Sequence, residues 1–229
     1  MSAITVDSCQ SKIAALVDQS TTVPTGDEYS LRLSYINRAI NEWEHAFDWE
    51  ATKKYHWINV TGVSCASLSL PGDFKKLAGF PLYYSGGVSG GEEWEEIKSE
   101  EEKLYVSTDK YCYTLGNRNE GHTLVWNPGT LASGASLRIC YYSYVTALAS
   151  PADTIIVSDP EFVINRSIAY ILESRSDARF QETEAKAREN LLQMVDSEQT
   201  AKFNSLAGGP DSNVQTNERR FWGFRIGKN

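Results

Sequence analysis

The sequence contains one match to a nucleophile motif, Gly87-Val88-Ser89-Gly90-Gly91, in which the serine hydroxyl would attack a carbonyl carbon. This Gly-x-Ser-x-Gly motif requires a buried strand before the serine and a helix directly after it. Here the flanking sequences are Tyr83-Tyr84-Ser85-Gly86 and Glu92-Glu93, which are typical of a polar hairpin loop. We therefore do not expect Ser89 to be catalytic.

The densest charge in the chain is an acidic run of seven glutamates between residues 92 and 102. A carboxyl pair performs general acid and base catalysis only when its surroundings separate the two pKa values. The sequence predicts no apolar pocket here, so we interpret the run as a solvated face, and a hydrolase acting through it or through Ser89 stays an alternative. The functional alternative for the run is an acidic surface that keeps DNA from adhering. Its residues are Glu92, Glu93, Glu95, Glu96, Glu100, Glu101 and Glu102.

Histidine and cysteine, the other residue types that commonly bind metals in proteins, are scattered along the chain. The three histidines and four cysteines show none of the short paired spacings that zinc sites use. No Gly-x-Gly-x-x-Gly or Walker sequence occurs either, so we predict no metal, no cofactor and no enzymatic activity. The cysteines are expected to be small apolar residues of a protein made in a reducing compartment. These residues are His45, His56, His122, Cys9, Cys65, Cys112 and Cys140.

Residues 199–229 have the composition of a binding segment. A polar spacer with Gly208-Gly209-Pro210 leads to a short sequence rich in aromatic and basic residues. Such termini are normally disordered unless a partner orders them, and aromatic residues and arginine dominate interface hot spots. We predict that 199–229 form an extended docking arm, with packing of the arm on its own subunit as the alternative. The predicted anchors are Arg219, Arg220, Phe221, Trp222, Phe224, Arg225 and Ile226.

Charge is distributed unevenly between this arm and the rest of the chain. The whole chain has a formal net charge of −8. Residues 199–229 contain five basic residues against two acidic ones, so they carry +3 and the remaining residues carry −11. An acidic body repels nucleic acid, whereas a basic arm suits an acidic protein partner.

Helical periodicity occurs at both ends of the chain. It predicts a short helix over 7–20 and two helices after Asp159-Pro160, the last of them ending near Glu198. Between the first helix and the last two helices, large apolar residues recur every three or four positions. This spacing predicts a long amphipathic helix with one buried stripe. The stripe consists of Tyr29, Leu33, Ile36, Ile40, Trp43 and Phe47.

The middle of the chain shows the two-residue period and the Gly/Pro punctuation of short strands. We therefore predict an α+β fold. Residues 1–51 and 149–198 are expected to form one helical bundle, residues 52–148 an inserted antiparallel β domain, and 199–229 the extended arm. We also expect the tryptophans at 43, 49, 57, 94 and 126 to lie in the core. No run of eighteen apolar residues occurs, so no membrane-spanning helix is predicted.

Three short sequences resemble the head-to-tail adaptor (neck) proteins of tailed bacteriophages. The first runs from Tyr35 to Trp43 and is followed by Trp49, and the second is Leu70-Pro71-Gly72-Asp73-Phe74-Lys75-Lys76. The third is Trp126-Asn127-Pro128, which precedes 137–142 and a closing pair of helices. The resemblance covers about residues 28–198, and the Gly/Ser-rich loop 85–91 departs from the family pattern.

This resemblance implies a structural virion protein that is made in the bacterial cytoplasm and located at the head–tail interface. Proteins of that family form a homo-oligomeric ring, commonly of twelve copies. The C-terminal arm reaches the portal protein, a tail or nozzle protein binds below, and DNA passes through without specific binding. We expect carboxylates to outnumber Lys and Arg on the channel wall, with Glu92–Glu102, Asp153 or Asp159 as candidates. The rival hypothesis is a β-sheet-based binding module of a tail fibre or host-recognition protein.

Overall fold

The computed structural model describes residues 4–20, 22–61, 67–84, 91–98, 102, 109–127 and 134–207. Within these residues the chain is a mixed α+β protein with four α-helices and several antiparallel sheets. The predicted α+β class is thereby confirmed. The sequence 62–66, the Gly/Ser loop 85–90, most of 99–108 and residues 128–133 lie outside these ranges.

The helices lie at both ends of the described chain. They are α1 (Val6–Val17), α2 (Gly26–Ala46), α3 (Pro160–Ser174) and α4 (Phe180–Ala207). The predicted start of α3 is confirmed, because the Asp159 carboxylate accepts a hydrogen bond from Glu161 N at 3.0 Å and Pro160 occupies the first turn. Helix α1 is capped by Thr5, whose hydroxyl oxygen accepts from Ser8 N.

Helix α2 buries part of its predicted stripe and, in addition, two charged residues. Ile36, Ile40 and Trp43 are buried as expected, whereas Arg32 and Glu44, which the periodicity placed on other faces, are buried too. Arg32 is accommodated because its guanidinium donates to Glu28 Oε1 at 2.8 Å. It also forms an ion pair with Asp18, the C-cap residue of α1. Buried charge in this helix is therefore paired.

Residues of all four helices share one core cluster, together with Ile155 and Val157 from the segment before α3. Helix α3 contacts the other three helices. At the end of α2 the indole of Trp49 stacks on that of Trp43 with ring centroids 4.9 Å apart, and its Nε1 donates to Trp43 O at 2.6 Å. This pair closes the core where the chain leaves the helices.

A group of charged residues also joins three of the helices. Arg166 of α3 donates to Glu42 of α2 through Nε at 2.6 Å and approaches Glu184 of α4 at 3.4 Å. The hydroxyl of Tyr170 donates to the same Glu42 carboxylate. Burial together with this hydrogen bond raises the pKa of Tyr170 to about 12, so the phenol stays protonated.

Eleven strands occur in the described residues. They are β1 (Ile4–Thr5), β2 (Lys53–Asn59), β3 (Ser67–Ser69), β4 (Phe74–Leu77), β5 (Leu82–Tyr84), β6 (Glu92–Glu93), β7 (Glu95–Glu96), β8 (Tyr111–Asn117), β9 (Gly121–Trp126), β10 (Ser136–Ser143) and β11 (Thr154–Ile155). Strands β1 and β11 pair with each other, which fastens the N-terminus beside the segment that precedes α3.

Strands β2 to β10 form two sheets. In the first, the order is β2-β10-β5-β6. Strand β4 also pairs with β10, on the same edge as β5 but nearer the end of β10. In the second, the order is β3-β9-β8-β7. The expectation of a wholly antiparallel domain is wrong at one place, because β7 pairs with β8 in parallel.

Both sheets contribute to a second core cluster. Strand β10 shows the pattern most clearly, since Leu137, Ile139 and Tyr141 are buried and the residues between them are not. Four of the five tryptophans expected in the core are buried, at 43, 49, 94 and 126. Trp57 is the exception, with 52% of its surface exposed.

The C-terminal boundary of α4 differs from the prediction. The helix continues past Glu198 to Ala207, so the first residues of the predicted extended arm, 199–207, are helical. The physical reason is that 199–207 contain no glycine or proline, whereas Gly208-Gly209-Pro210 follow directly and favour termination. The arm of the prediction is thereby shortened to 208–229, which lie outside the described residues.

We expect Trp49→Ala to reduce the free energy of unfolding by about 3–5 kcal/mol, because it removes a buried indole and its hydrogen bond to the end of α2. Urea denaturation followed by circular dichroism measures this change. Trp57→Ala is the matched control, and we expect a loss below about 1 kcal/mol because Trp57 is half exposed. Equal losses for the two variants would contradict this assignment of the core.

Candidate interaction surface

The predicted anchor residues, Arg219 to Ile226, lie outside the described part of the chain. The structure does determine the point from which their segment departs, which is the end of α4 at Ala207. The candidate site is therefore built from the residues that hold this end of α4 and from the surfaces around it.

The end of α4 is fixed against the segment that joins α2 to the first sheet. Glu198 Oε1 accepts a hydrogen bond from Glu50 N at 2.7 Å, and Lys202 Nζ donates to Asp48 O. The Lys202 ammonium also lies 4.5 Å from the ring centroid of Phe47 and 5.6 Å from that of Tyr142. The last turns of α4 thus touch both the helical core and the sheet.

A buried carboxylate joins the helices to the β strands beside this point. Glu44 of α2 is 2% exposed, and its Oε2 accepts from Val145 N at 2.9 Å, just after β10. Lys75 of β4 donates to Glu44 O at 2.7 Å and lies 3.6 Å from Oε1. Nearby, Ser143 Oγ donates to Thr52 O at 3.1 Å. Strand β4 and the segment just after β10 therefore both meet α2.

The Leu70–Lys76 motif of the sequence analysis forms the turn before β4 and the start of that strand. Phe74 N donates to Pro71 O at 2.9 Å, which closes the turn. The Asp73 carboxylate accepts from Lys54 Nζ at 2.5 Å and from Tyr141 Oη at 3.0 Å. Burial alone would raise the pKa of Asp73, but these hydrogen bonds outweigh it and lower the pKa below the ordinary 3.8. Asp73 thus links the turn to β2 and β10.

The outer face of the first sheet carries an exposed group of aromatic residues around one arginine, which we call the aromatic face. Tyr55 and Trp57 of β2 are 59% and 52% exposed. The Arg138 guanidinium lies 4.5 Å from the Tyr55 ring centroid and 5.9 Å from that of Trp57. Tyr84 of β5 lies on the other side, 5.0 Å from Trp57. Aromatic and arginine side chains of this kind dominate protein interfaces.

Sequence reasoning missed this face because it assigned Trp57 to the core. Two signals in the sequence point the other way. Ile58 and Val60 supply a β-branched apolar side for the strand, and both are buried. The adjacent lysines Lys53 and Lys54 are typical of an edge strand, where charge discourages unwanted pairing.

Of the acidic run, Glu92 and Glu93 form β6 at the opposite edge of the first sheet, and Glu95 and Glu96 form β7 at the edge of the second sheet. Glu92, Glu93, Glu95 and Glu96 are all exposed, as the solvated-face interpretation predicted, whereas Glu102 is half-buried and its Oε2 accepts from Lys98 N at 2.7 Å. Glu92 forms an ion pair with Lys110. The remaining members at 100 and 101 lie outside the described ranges, as does Ser89.

The structure does not bring the other candidate ligands together. His45 is exposed and bonded to Asn41 O, and His122 packs on Phe74 with ring centroids 5.2 Å apart. Desolvation lowers the pKa of His122, which favours its neutral form. Cys9 and Cys112 are buried free thiols. Within the described ranges, no three His, Cys, Asp or Glu residues form a group that could hold a metal.

Comparisons with known proteins add no family. No protein-family model matches the chain, and no curated protein matches its sequence. None of the helices within the described ranges combines the length and apolarity that crossing a bilayer requires.

We expect Lys202→Ala to loosen the last turns of α4, because it removes the contacts with Asp48 O and with two aromatic rings. Hydrogen–deuterium exchange of residues 199–207 should become about tenfold faster, as expected for a local loss of roughly 1.4 kcal/mol. Lys186→Ala is the control, since Lys186 forms only an exposed ion pair with Glu182 on the same helix. Unchanged exchange in Lys202→Ala would show that these contacts do not hold the helix end.

Asp73→Asn should lower the free energy of unfolding by about 1 kcal/mol at pH 7, an amount reduced by the 33% exposure of the side chain. A carboxyl group whose pKa is lower in the folded state stabilises that state at pH values above its unfolded-state pKa of about 3.9. This stabilisation is lost as the pH falls through the folded-state pKa. The difference from the unsubstituted protein should therefore shrink below pH 4. Urea titrations at several pH values test this, with the exposed Asp196→Asn as control. A difference that stays constant down to pH 2 would exclude the charge-based explanation.

Proposed function

We propose that this protein is a structural phage virion protein, an adaptor whose copies form a ring that joins the portal to the tail and surrounds the DNA channel. The observation that supports it most directly is the end of α4, which is held at the junction of helices and sheet by Glu198 and Lys202. From that fixed point the chain continues into a basic, aromatic sequence. A fixed base with a hot-spot sequence beyond it is what an arm that docks on a partner requires.

The proposed arrangement is a helical bundle made of the first and last parts of the chain, with residues 52–148 as an insertion. Two separate core clusters support it, one containing residues of all four helices and the other containing residues 58–141. The three sequences that resemble neck proteins all lie in ordered elements or the turns beside them. The first is α2 with its Trp43–Trp49 stack, the second is the Asp73 turn, and the third ends β9.

In this proposal the portal is bound by Arg219, Arg220, Phe221, Trp222, Phe224, Arg225 and Ile226. The aromatic residues bury large areas at low entropic cost, and the three arginines pair with carboxylates of the portal. Ordering such a segment costs about 2–5 kcal/mol, which its anchors must exceed. Because part of the attraction is between charges, binding weakens as the salt concentration rises. A tail or nozzle protein binds on the opposite side of the ring.

The acidic charge of the body fits the passage of DNA. Strong binding to DNA depends on neutralisation of phosphates by Lys and Arg, and a net charge of −11 outside residues 199–229 opposes it. In a ring, carboxylates of the acidic body such as those of Asp153 or Asp159 would face the channel and let the DNA slide.

A chain that ends at Ala207 should fold normally yet lose binding to the portal protein encoded in the same genome. The full-length anchor variant Phe221→Ala/Trp222→Ala/Phe224→Ala should bind at least about 100-fold more weakly, which corresponds to roughly 2.7 kcal/mol. Biolayer interferometry at two salt concentrations measures both effects. In infected cells, the truncated chain should leave DNA-filled heads without tails.

The spacer variant Ser212→Ala/Asn213→Ala/Gln215→Ala is the matched control and should bind like the unsubstituted protein. Portal binding of the truncated chain with unchanged affinity would refute the proposed role of the arm.

The second candidate function is a β-sheet binding module of a tail fibre or host-recognition protein, and the aromatic face favours it. Exposed tryptophan and tyrosine beside an arginine suit stacking against sugars or a protein surface. Trp57→Ala/Tyr55→Ala distinguishes the two functions. In the purified protein it should abolish binding to host cells if the face recognises the host, whereas a purified adaptor should show no binding to host cells with or without the substitutions.

A further inference from the structure

Strand β2 forms one edge of the first sheet, and in the described part of the chain only β10 pairs with it. Its four central residues, Lys54 to Trp57, are all exposed, so the strand is open on both faces as well as along its edge. A strand edge presents peptide N–H and C=O groups that pair readily with another chain, and proteins usually cover or shorten such edges. A seven-residue edge strand with two exposed aromatic side chains therefore calls for an occupant.

The charges along this edge are predominantly positive. Lys53 and Lys54 lie on β2 itself, where Lys53 forms an ion pair with Glu50 and Lys54 with Asp73. Arg138 lies on the neighbouring strand above the aromatic rings and forms no ion pair with any described carboxylate. The edge thus carries three cations against two carboxylates, on a protein whose net charge is −8.

The opposite edge of the same sheet is acidic. Strand β6 (Glu92–Glu93) ends the row β2-β10-β5-β6. The chain then passes through the buried Trp94 into β7 (Glu95–Glu96), the adjoining edge strand of the second sheet, which extends the acidic surface. Glu92 pairs with Lys110, whereas Glu93 and Glu95 form no ion pair with any described cation. Exposed carboxylates without a cation are favourable contacts for a positively charged surface.

We propose that the basic β2 edge of one copy binds the acidic Glu92–Glu96 edge of the next copy, head to tail. This inference rests on the proposed ring and identifies the contact that builds it. The two edges are separated by the width of the sheet, roughly 14 Å for three strand spacings, so both can be occupied at once. A head-to-tail contact of this kind closes into a ring when the rotation allows, and the contact covers the exposed β2 edge of every copy.

The charge pattern also opposes the competing contact. If two copies met through the same edge, two β2 edges would bring lysines together, and two acidic edges would bring glutamates together. Like charges placed opposite one another disfavour that arrangement, so head-to-tail pairing is selected over a two-fold dimer. Tyr55 and Trp57, which flank the basic edge, supply the apolar area that the contact buries.

Two charge-reversal variants test the proposal. The basic-edge variant is Lys53→Glu/Lys54→Glu, and the acidic-edge variant is Glu93→Lys/Glu95→Lys. Each variant alone presents edges of the same sign, so self-association should be at least about tenfold weaker than in the unsubstituted protein. In a 1:1 mixture every contact is again between opposite charges. The mixture should therefore form oligomers in which the two variants alternate, which native mass spectrometry resolves by mass.

The control for the acidic-edge variant is Glu182→Lys/Glu189→Lys, which makes the same change in charge on the exposed outer side of α4 and should assemble normally. Circular dichroism and thermal melting of each variant establish that it is folded. Assembly is measured at raised protein concentration and again with the portal ring as template.

Normal assembly of either variant alone would overturn the proposed contact while leaving the adaptor function intact. Failure of two folded variants to assemble when mixed would overturn it as well. An unsubstituted protein that stays monomeric even on the portal ring would instead refute the ring, and with it both proposals.

Discussion

The structure depends on a buried carboxylate, that of Glu44. It lies at the end of α2, where the chain leaves the helices, and it accepts from Val145 N just where the chain returns from the sheets. Lys75 compensates part of its charge and bonds to the main chain of the same residue. Because an unpaired buried charge is costly, these three segments must meet, and this requirement fixes the sheets relative to α2.

The consequences of this constraint extend to both surfaces that carry the proposals. Trp49, stacked on Trp43, directs the chain from α2 into β2, and Asp48 and Glu50 beside it bind the last turns of α4. The start of the open β2 edge and the base of the C-terminal segment are therefore neighbours. In the proposed ring, a contact between copies at β2 and a contact with the portal through the segment after α4 would be built on one rigid corner.

The distribution of charge over the surface supports both the proposed ring contact and the proposed portal contact. The body is acidic as a whole, yet the β2 edge carries three cations against two carboxylates and residues 199–229 carry +3. Uniform negative charge would make copies repel one another as well as DNA. Net positive charge at these proposed protein contacts leaves the acidic surface elsewhere free to face DNA, and it makes both contacts sensitive to salt.

The sequence by itself determined the α+β class, the four helices and most strands, because three- to four-residue and two-residue apolar periods are local properties, as is the Asp159-Pro160 start of α3. Tertiary structure decided the rest. It buried Arg32 and Glu44, since their partners come from distant segments, and it left Trp57 exposed, since only sheet order makes β2 an edge. It paired β7 with β8 in parallel, and contacts of Lys202 with residues far away in the chain hold the last turns of α4. Sequence periodicity reports which side of an element is apolar, whereas its neighbours decide whether that side is covered.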